Sequence, residues 1–405
     1  MKIIYLHQYF NTPDMSGGTR SYEMARRMVS AGHEVEMITT RIDGALEGNE
    51  WIIEEISGIR VHWLPVEYNN KMGIARRLLA FTEFARRASI YAVSLRGDVV
   101  FATSTPLTIA IPGVRASRKL KAPLVFEVRD LWPEIPIAMG ALKLPGSAFL
   151  ARRLEAWAYR NSQKVVALSP GMRDGVIRAG VAEDKVTCIP NSADLELFQG
   201  SERAGLTFRS DRPWLGNRPL VLYAGTFGRV NGVDYMVRLA AEMLVLDPNI
   251  RFLAVGAGSE REDVTALAES LGVLGVNFFI EEALPKKQMA ALFSAATVCC
   301  SWVIDLKALW NNSANKVFDA MAAGKPVVIN HGGWQKELIE QEGIGLVLPV
   351  NDEHLAASGL QGFLRNESEV ERAGRAAFEL AKSRFSRDKL ANDLIRTLED
   401  AVEEC

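Results

Sequence analysis

Residues 220–246 read LVLYAGTFGRVNGVDYMVRLAAEMLVL. The segment begins with a short apolar run, continues through a loop with glycines at 225, 228 and 232, and ends in an apolar stretch with helical spacing at 233–246. A buried strand, a glycine-containing turn and a helix in this order predict one unit of a parallel sheet that helices cover on both faces.

The same alternation continues along most of the chain. Strands are predicted at 3–9, 34–40, 59–65, 98–102, 123–128, 164–168, 185–189, 220–224, 250–255, 276–280, 297–303, 326–330 and 345–349. Helices are predicted at 18–31, 72–95, 106–120, 145–160, 171–179, 233–246, 259–271, 286–295, 315–323, 334–341, 353–364, 367–383 and 386–403. We therefore expect an α/β protein with two Rossmann-like, doubly wound parallel-sheet domains that face a central cleft.

The domain boundaries follow from a polar stretch at 199–218, which has no steady apolar period and is interpreted as a linker. Residues 1–198 then form the first domain and residues 219–383 the second. The terminal helix, 384–405, is expected to pack back on the first domain. Ligands of such sheets bind at the carboxyl ends of the strands, so the loops there are the candidate site.

Composition excludes several classes of protein. The chain has 405 residues, of which 48% are hydrophobic and 24% charged, and a net charge of −2. This argues for a globular protein and against a dedicated nucleic-acid binder. The four cysteines form no C-x-x-C pair and the five histidines are scattered, so we expect neither disulfides nor a metal site. With no signal-peptide pattern and no apolar run of about 18 residues, we expect a cytoplasmic protein.

The loop after the first strand carries Gly17 and Gly18 and opens a helix at Arg20. Two glycines let the backbone approach a ligand, and the N–H groups at the start of a helix attract an anion. We interpret these residues as part of a binding site, although a tight structural turn is the alternative.

A second loop, RDLWPE, leaves the strand predicted at 123–128. Arg129, Asp130 and Glu134 place three charged groups at the end of a buried-looking strand, which favours a functional role. The alternative is a simple ion pair between Arg129 and Asp130.

The third loop carries Gly225, Thr226, Arg229 and Asn231. Its glycines permit a close approach, and Arg229 stands where it could meet a phosphate. A related turn at 256–261 lacks the last glycine of the dinucleotide fingerprint, which makes a dehydrogenase a poor alternative.

The fourth loop reads NNSANKVFDA from residue 311. Ser313 is a candidate N-cap, and Asn315 and Lys316 follow in the first turn. A lysine there opposes the helix dipole, so an anion such as a diphosphate explains it best. Asp319, three residues later, would suit a ribose diol. The alternative is a Lys316–Asp319 salt bridge on a solvated face.

In this order, the loops resemble glycosyltransferase family 4, whose members have the GT-B fold. The matching segments are GGTRSYEMARRMVSAGHEVEMIT (17–39), KVVALSPGMRDGVI (164–177), IPNSADLELF (189–198), LVLYAGTF (220–227) and VFDAMAAGKPVV (317–328). RDLWPE (129–134) is similar to a subgroup that builds bacterial surface polysaccharides such as O-antigen or capsule and transfers sugars such as N-acetylfucosamine.

The resemblance implies transfer of a sugar, with retention at the anomeric carbon, from a nucleotide-diphosphate sugar such as a UDP-sugar. It implies a lipid-linked or saccharide acceptor and no bound metal or other cofactor. Lys316 and Arg229 would bind the diphosphate with Gly17, Gly18 and the N–H groups of 313–315. Asp319 would hold the ribose, and Asp130 or Glu134 would orient the acceptor.

Several positions depart from the family pattern. Thr226 and Asn231 stand where the family has its diphosphate-binding Arg and Lys, and Asn311 stands where it has the first of two glutamates. Arg129 stands where many members have His. We therefore assign catalytic roles to Arg129, Asp130, Glu134 and Lys316.

Residues 71–121 contain ten basic and two acidic side chains. Arg76 and Arg87 lie opposite an apolar stripe of helix 72–95 that includes Leu78. Anionic lipid or a polyprenyl-diphosphate acceptor would be attracted to such a surface, which would place the enzyme on the inner face of the plasma membrane; a solvated face is the alternative. The basic residues considered are Arg76, Arg87, Arg115, Arg118, Lys119 and Lys121.

Two other functions remain open. A non-catalytic nucleotide-sugar or glycan-binding protein is one, because the usual Arg, Lys and Glu are missing. A nucleotide-sugar 2-epimerase with the same fold is the other, although the carboxylate and histidine set that it needs is not found.

Overall fold

The computed structural model describes residues 1–15, 17–40, 50–66, 72–140, 142 and 145–405. The first sheet contains β1 (Lys2–Leu6), β2 (Glu34–Thr40), β3 (Ile52–Ile56), β4 (Ile59–Leu64), β5 (Val99–Thr103), β6 (Leu124–Val128), β7 (Lys164–Ala167) and β8 (Val186–Cys188). The helices of this part are α1 (Arg20–Ser30), α2 (Ile74–Ser94), α3 (Ala110–Leu120), α4 (Glu134–Ala138), α5 (Ser147–Arg160), α6 (Pro170–Arg178) and α7 (Leu195–Phe198).

The second sheet contains β9 (Leu220–Ala224), β10 (Arg251–Val255), β11 (Phe278–Glu281), β12 (Val298–Ser301), β13 (Val327–Ile329) and β14 (Gly345–Val347). The helices of this part are α8 (Glu202–Ser210), α9 (Val233–Leu246), α10 (Arg261–Ser270), α11 (Met289–Ala295), α12 (Asn315–Ala322), α13 (Trp334–Glu342), α14 (Glu353–Arg365), α15 (Glu367–Arg384) and α16 (Arg387–Glu403).

Both sheets have the strand order of a doubly wound fold. The first is ordered β3-β4-β2-β1-β5-β6-β7-β8, and the second β11-β10-β9-β12-β13-β14. In each sheet, the chain first adds strands outward on one side and then crosses back to add strands on the other side. This reversal lies between β1 and β5 in the first sheet and between β9 and β12 in the second. Ligands of such sheets bind at these switch points. Every predicted strand is present, and the predicted fold class is confirmed.

The sequence did not predict β3, an edge strand antiparallel to β4. Its residues are mostly exposed, and the consecutive Glu54 and Glu55 interrupt the apolar alternation of a strand. Tertiary contacts stabilise it instead: a turn at Ser57 and Gly58, both with positive φ, reverses the chain, and Trp63 Nε1 donates to Glu54 Oε2.

The predicted linker contains a helix, α8, which packs against α11 of the second domain. Gly205 permits the close contact, because a Cβ there would stand 2.5 Å from Ser294 Oγ. Arg209 then donates to the carbonyls of Ala295, Gly216 and Arg218. This segment therefore forms a packed helix although its composition is polar.

The last helix, α16, returns to the first domain and lies against α1. Arg27 Nε lies 2.5 Å from Asp388 Oδ1, and Lys164 Nζ lies 2.6 Å from Glu404 Oε1. In this way the end of the chain crosses between the two domains.

The basic residues expected on one membrane face are divided between two edges of the first sheet. A helix that follows a parallel strand begins at the carboxyl edge, so Arg76 lies at that edge, near the start of α2. Arg118, Lys119 and Lys121 lie at the other end of α3, about 16 Å along its axis. Leu78, expected to point inward, is 51% exposed. The six basic residues therefore do not all lie at one edge of the sheet, and a membrane contact through them stays a prediction. Among the described residues, no helix is long and apolar enough to cross a membrane.

Candidate active site

A cavity of about 360 Å³ lies between the two sheets. Loops that follow β1, β5, β6 and β7 form one wall, and loops that follow β9 and β12 form the other together with the start of α12. Its charged and polar lining includes His7, Arg129, Asp130, Asn231, Asn315 and Lys316.

Lys316 is the second residue of α12, and its half-buried side chain lines the cavity. Its Nζ donates to Asn231 Oδ1 at 3.4 Å and lies 5.1 Å from the centre of the Tyr223 ring. Gly225 makes room for it, because a Cβ there would overlap Lys316 Cε. Burial lowers the pKa of Lys316 to about 8, and the neighbouring Asp319 acts in the opposite direction. A desolvated cation at this place is stabilised best by an anion.

Arg129 reaches the same cavity from the first domain. Its backbone N–H donates to Ser104 Oγ at 3.0 Å, and its guanidinium Nη1 lies 3.1 Å from His7 Nε2. In the part of the chain that the structure describes, neither Arg129 nor Lys316 forms a salt bridge with a carboxylate. Two cations from opposite domains thus line one cavity, and neither is in a salt bridge with a carboxylate of the described residues.

Asp130 is the acidic side chain of the cavity, and it does not pair with Arg129. Its Oδ2 accepts from Thr105 Oγ1 at 2.9 Å, and burial raises the pKa of its carboxyl group. The predicted alternative, an Arg129–Asp130 ion pair, is therefore not formed.

Three hydrogen bonds hold the loop before α12 against the first domain. Asn191 donates its backbone N–H to Ser313 Oγ at 3.0 Å and its side-chain amide to the Ser313 carbonyl at 2.5 Å. Ser169 Oγ donates to the carbonyl of Asn311 at 2.5 Å. The cavity is therefore bounded by both domains in direct contact.

Comparisons with known proteins agree on a single class. The family described as "Glycosyl transferase 4-like domain" matches residues 17–192, and the family "Glycosyl transferases group 1" matches residues 207–380. The chain is therefore a glycosyltransferase of the GT-B fold, with a family 4-like first domain and a group 1 second domain.

Curated relatives and solved structures support this assignment. The putative colanic acid biosynthesis glycosyl transferase WcaI of Escherichia coli K12 is 26% identical over 66% of this chain and 69% of its own length. The probable glycosyltransferase WbjE of Pseudomonas aeruginosa is 26% identical over 70% of this chain and 71% of its own length.

Two solved structures share the fold along nearly the whole chain. Sucrose-phosphate synthase from Thermosynechococcus elongatus has a TM-score of 0.79 at 18% identity and covers 100% of both chains. Anabaena HepE, in complex with UDP and glucose, has a TM-score of 0.73 at 19% identity and covers 99% of this chain and 100% of its own.

Arg20 does not face the cavity of the glycosyltransferase, so the expectation that it binds the donor is wrong. It is 2% exposed, and its guanidinium donates to Glu127 Oε1 and to the carbonyls of Ile189 and Pro190. Glu127 is the fourth of the five residues of the buried strand β6 and also accepts from Thr103. Because a buried carboxylate needs a partner, Arg20 has a structural role.

Glu134 also lies elsewhere. It lines a second cavity of about 390 Å³ with Arg152, Glu155 and Arg178, behind the loop that carries Arg129. Burial, followed by the nearby charge of Glu134, raises the pKa of Glu155 to about 7. Glu134 therefore does not line the cavity between the sheets, and its expected contact with the acceptor is not supported by this position.

Ser313 was expected to cap α12, but the N-cap residue is Ala314 and no side chain caps the helix. Ser313 still lines the cavity, as do Asn315 and Asn231. Its hydroxyl accepts from Asn191 instead, so it does not cap the N–H groups of the first turn.

Asp319 does not line the cavity and does not bond to Lys316. Lys286, which precedes α11, donates to both of its carboxylate oxygens. The alternative, a Lys316–Asp319 salt bridge, is therefore not formed, and the ribose contact stays a prediction that must take Lys286 into account.

The remaining predicted residues lie at the rim. Thr226 and Arg229 are exposed and do not line the cavity. Gly18 does line it, and a Cβ there would stand 3.3 Å from Asn315 Nδ2, so this loop faces α12 across the cleft. Gly17 has a φ of +119° and packs on Asn11.

Sequence reasoning missed several residues of the cavity, above all His7, Thr105, Asn191 and Gln335. Gln335 is 1% exposed, and neither atom of its side-chain amide has a partner among the described residues. His7 directly follows β1, and Thr105 lies two residues after β5. β1 and β5 are the strands of the switch point, and this position was the signal that could have identified both residues.

Proposed function

We propose that the protein is a retaining glycosyltransferase that moves an N-acetylated sugar, such as N-acetylfucosamine, from a UDP-sugar to a lipid-linked or saccharide acceptor. The product would be a bacterial surface polysaccharide. Support comes from the relative named for colanic acid biosynthesis, from a neighbour of the same fold with bound UDP and glucose, and from the RDLWPE segment.

One observation carries the proposal: Lys316 and Arg129 approach one cavity from opposite domains, and neither is neutralised by a carboxylate of the described chain. A diphosphate supplies the missing negative charge. Gln335 and Asn191 lie in the same cavity, with amide atoms that lack partners among the described residues. They suit the hydroxyl and acetamido groups of a sugar.

In the reaction, the bond from C1 of the sugar to the β-phosphate oxygen breaks, and a bond from C1 to the acceptor oxygen forms on the same face. The acceptor proton passes to the departing phosphate oxygen, which leaves as UDP. Negative charge grows on the phosphate as the bond breaks, so Lys316 and Arg129 bind the transition state more strongly than the substrate. Removing one such donor typically raises the barrier by about 2.7–4 kcal/mol.

Asp130 is proposed to orient the acceptor hydroxyl through a hydrogen bond. We assign it no role as a general base, because the proton has a route to the phosphate. With two protein cations at the diphosphate, we propose that the enzyme needs no metal ion. Transfer should then continue unchanged in excess EDTA, and loss of activity that Mg²⁺ restores would contradict this point.

A lipid-linked acceptor is supported by two exposed apolar pairs near the starts of α2 and α5. Leu78 and Leu79 are 51% and 68% exposed, and Phe149 and Leu150 are 61% and 67% exposed. Both helices begin at the carboxyl edge of the first sheet, where the cavity lies. Each basic residue near these pairs would add about 1 kcal/mol to the free energy of binding to an anionic membrane.

This surface can be tested by flotation with vesicles of phosphatidylcholine, with and without phosphatidylglycerol. We expect the enzyme to float with anionic vesicles, and Leu78→Ser with Leu79→Ser to reduce the floating fraction. Val245→Ser, at an 84% exposed position of the second domain, is the matched control. Equal flotation of all three proteins, or none, would contradict a membrane contact at this edge.

The function itself is tested by incubation with a panel of UDP-sugars and an extract of polyprenyl-linked saccharides from a bacterium that carries this gene. We expect release of UDP that depends on both substrates, and a product with the donor's anomeric configuration. UDP-sugar binding without turnover would favour the non-catalytic binding protein, and interconversion of free UDP-sugars would favour the epimerase.

A further inference from the structure

We propose that His7 is a positioning residue, whose neutral imidazole holds the guanidinium of Arg129 towards the cavity without cancelling its charge. The inference rests on the proposed function for its catalytic consequence, but its geometry is independent of the donor.

The hydrogen bonds fix the tautomer of His7. Its Nε2 lies 3.1 Å from Nη1 of Arg129, and its Nδ1 lies 2.8 Å from Ser21 Oγ. A guanidinium only donates hydrogen bonds, so Nε2 has to be the acceptor. The imidazole proton therefore sits on Nδ1 and is donated to Ser21 Oγ.

Burial keeps His7 in this neutral form. The residue is 3% exposed, and burial together with the charge of Arg129 holds the pKa of its imidazole well below the usual range. The titratable and charged groups of this region are Arg129 itself, the paired Arg20 and Glu127, the Tyr5 phenol, and Asp130 and Lys316 in the lining of the same cavity. A second proton on His7 would turn the acceptor into a donor and break the contact with Arg129.

The carboxylates near Arg129 are engaged elsewhere. Glu127 accepts from Arg20 and Thr103, and Asp130 accepts from Thr105. A carboxylate in place of His7 would orient Arg129 equally well, but it would neutralise the charge that the diphosphate needs. A buried neutral acceptor combines orientation with a full positive charge.

The hydrogen bond between His7 and Arg129 joins two loops that are far apart in the chain. His7 follows β1, and Arg129 follows β6, so the hydrogen bond connects two loops at the carboxyl edge of the first sheet. Ser21 lies in the first turn of α1 and fixes the other side of the ring. The imidazole is thus held on both nitrogens, which restricts where the guanidinium can stand.

The first test is made on the unmodified enzyme, with ¹⁵N-labelled histidine and NMR. We expect the Nδ1–H tautomer for His7 at neutral pH, and a ring that stays neutral when the pH falls to the point at which a free imidazole becomes charged. An Nε2–H tautomer, or a charged ring at pH 7, would overturn the proposal whether or not the enzyme transfers a sugar.

The second test compares variants at saturating donor. His7→Phe removes the acceptor and should lower kcat roughly 100-fold, because a misplaced catalytic group costs about this much. His7→Gln keeps a neutral carbonyl acceptor and should recover much of the loss, whereas His7→Glu should not. His354→Gln, at an exposed histidine of the second domain, is the matched control and should match the unmodified enzyme.

The control for a purely structural effect is a double-variant cycle with Arg129→Met. If His7 acts through Arg129, His7→Phe has no further effect on kcat in the Arg129→Met background. Equal and independent losses in both backgrounds would overturn the proposal. Absence of transfer by the unmodified enzyme would instead contradict the proposed function and leave the NMR result to decide the role of His7.

Discussion

Lys286 Nζ lies 2.6 Å from Oδ1 and 2.7 Å from Oδ2 of Asp319. The two side chains are only 14% and 12% exposed, and the ammonium also lies 5.8 Å from the centre of the Phe198 ring. The pair ties the segment before α11 to the middle of α12, the helix that carries Lys316.

Asp319→Asn should lower the free energy of unfolding by about 3–5 kcal/mol, because it leaves a buried ammonium without a counter-ion. Lys286→Met should cost a similar amount, and the double variant should recover part of the loss. Urea denaturation followed by fluorescence measures all three. An Asp319→Asn variant as stable as the unmodified protein would mean that the pair is not formed in solution.

The affinity for UDP should fall as the pH rises above about 8. Burial lowers the pKa of Lys316 to about 8, and a bound diphosphate would raise it again. Below pH 8 the ammonium is already charged; above it, binding must take up a proton, and the affinity falls by up to tenfold per pH unit. Calorimetry at pH 9 in two buffers of different ionisation enthalpy measures this uptake. Lys316→Met should bind weakly and take up no proton, whereas unchanged uptake would assign the effect to another group.

Gly225→Ala should reduce turnover by displacing Lys316, since the added Cβ would overlap the lysine Cε. The backbone of Gly225 does not have a positive φ, so alanine itself adds no strain there. Gly359→Ala, in α14 with open space around it, is the matched control. We expect similar melting temperatures for both variants and a loss of kcat in the first. Full activity of Gly225→Ala would show that Lys316 can act from another position.

Stability should fall as the pH rises through about 7 because of Glu155. Burial, followed by the charge of Glu134, raises the pKa of Glu155 to about 7 in the folded protein, above its value in the unfolded chain. The folded state therefore binds the proton of Glu155 more tightly than the unfolded chain. The stabilisation that this gives at acid pH is lost as the pH rises.

Glu155→Gln keeps the hydrogen-bonding shape without the charge. We expect it to raise the melting temperature at pH 8. The melting temperature of the variant should also change less with pH between pH 5 and 8. Glu369→Gln, on the surface of α15, is the control. Parallel melting curves of the Glu155 variant and the unmodified protein across this range would contradict the raised pKa.

Residues of the cavity could be predicted where the argument depends only on their neighbours in the sequence. Lys316 was identified because a lysine in the first turn of a helix opposes the dipole, and this argument needs only the neighbouring residues. Arg129 and Asp130 were identified because charged residues directly follow an apolar strand. These three residues line the cavity.

The errors concern side chains whose partners are distant in the chain. Arg20 pairs with Glu127, 107 positions away, and Ser313 bonds to Asn191, 122 positions away. Glu134 lies only a few residues beyond Asp130, but the start of α4 turns it to the other side of the loop. Spacing along the chain contains no information on these directions.

The sequence by itself determined the two parallel sheets, because continuous apolar strands between amphipathic helices have one stable arrangement, buried on both faces. It also determined the family, through short segments whose order is unmistakable. Only the tertiary structure decided which polar side chains pair with other residues inside the protein and which face the cavity. That choice depends on which groups become neighbours when the strands pair and the domains meet, and buried charges then take whichever partner lies within hydrogen-bonding distance.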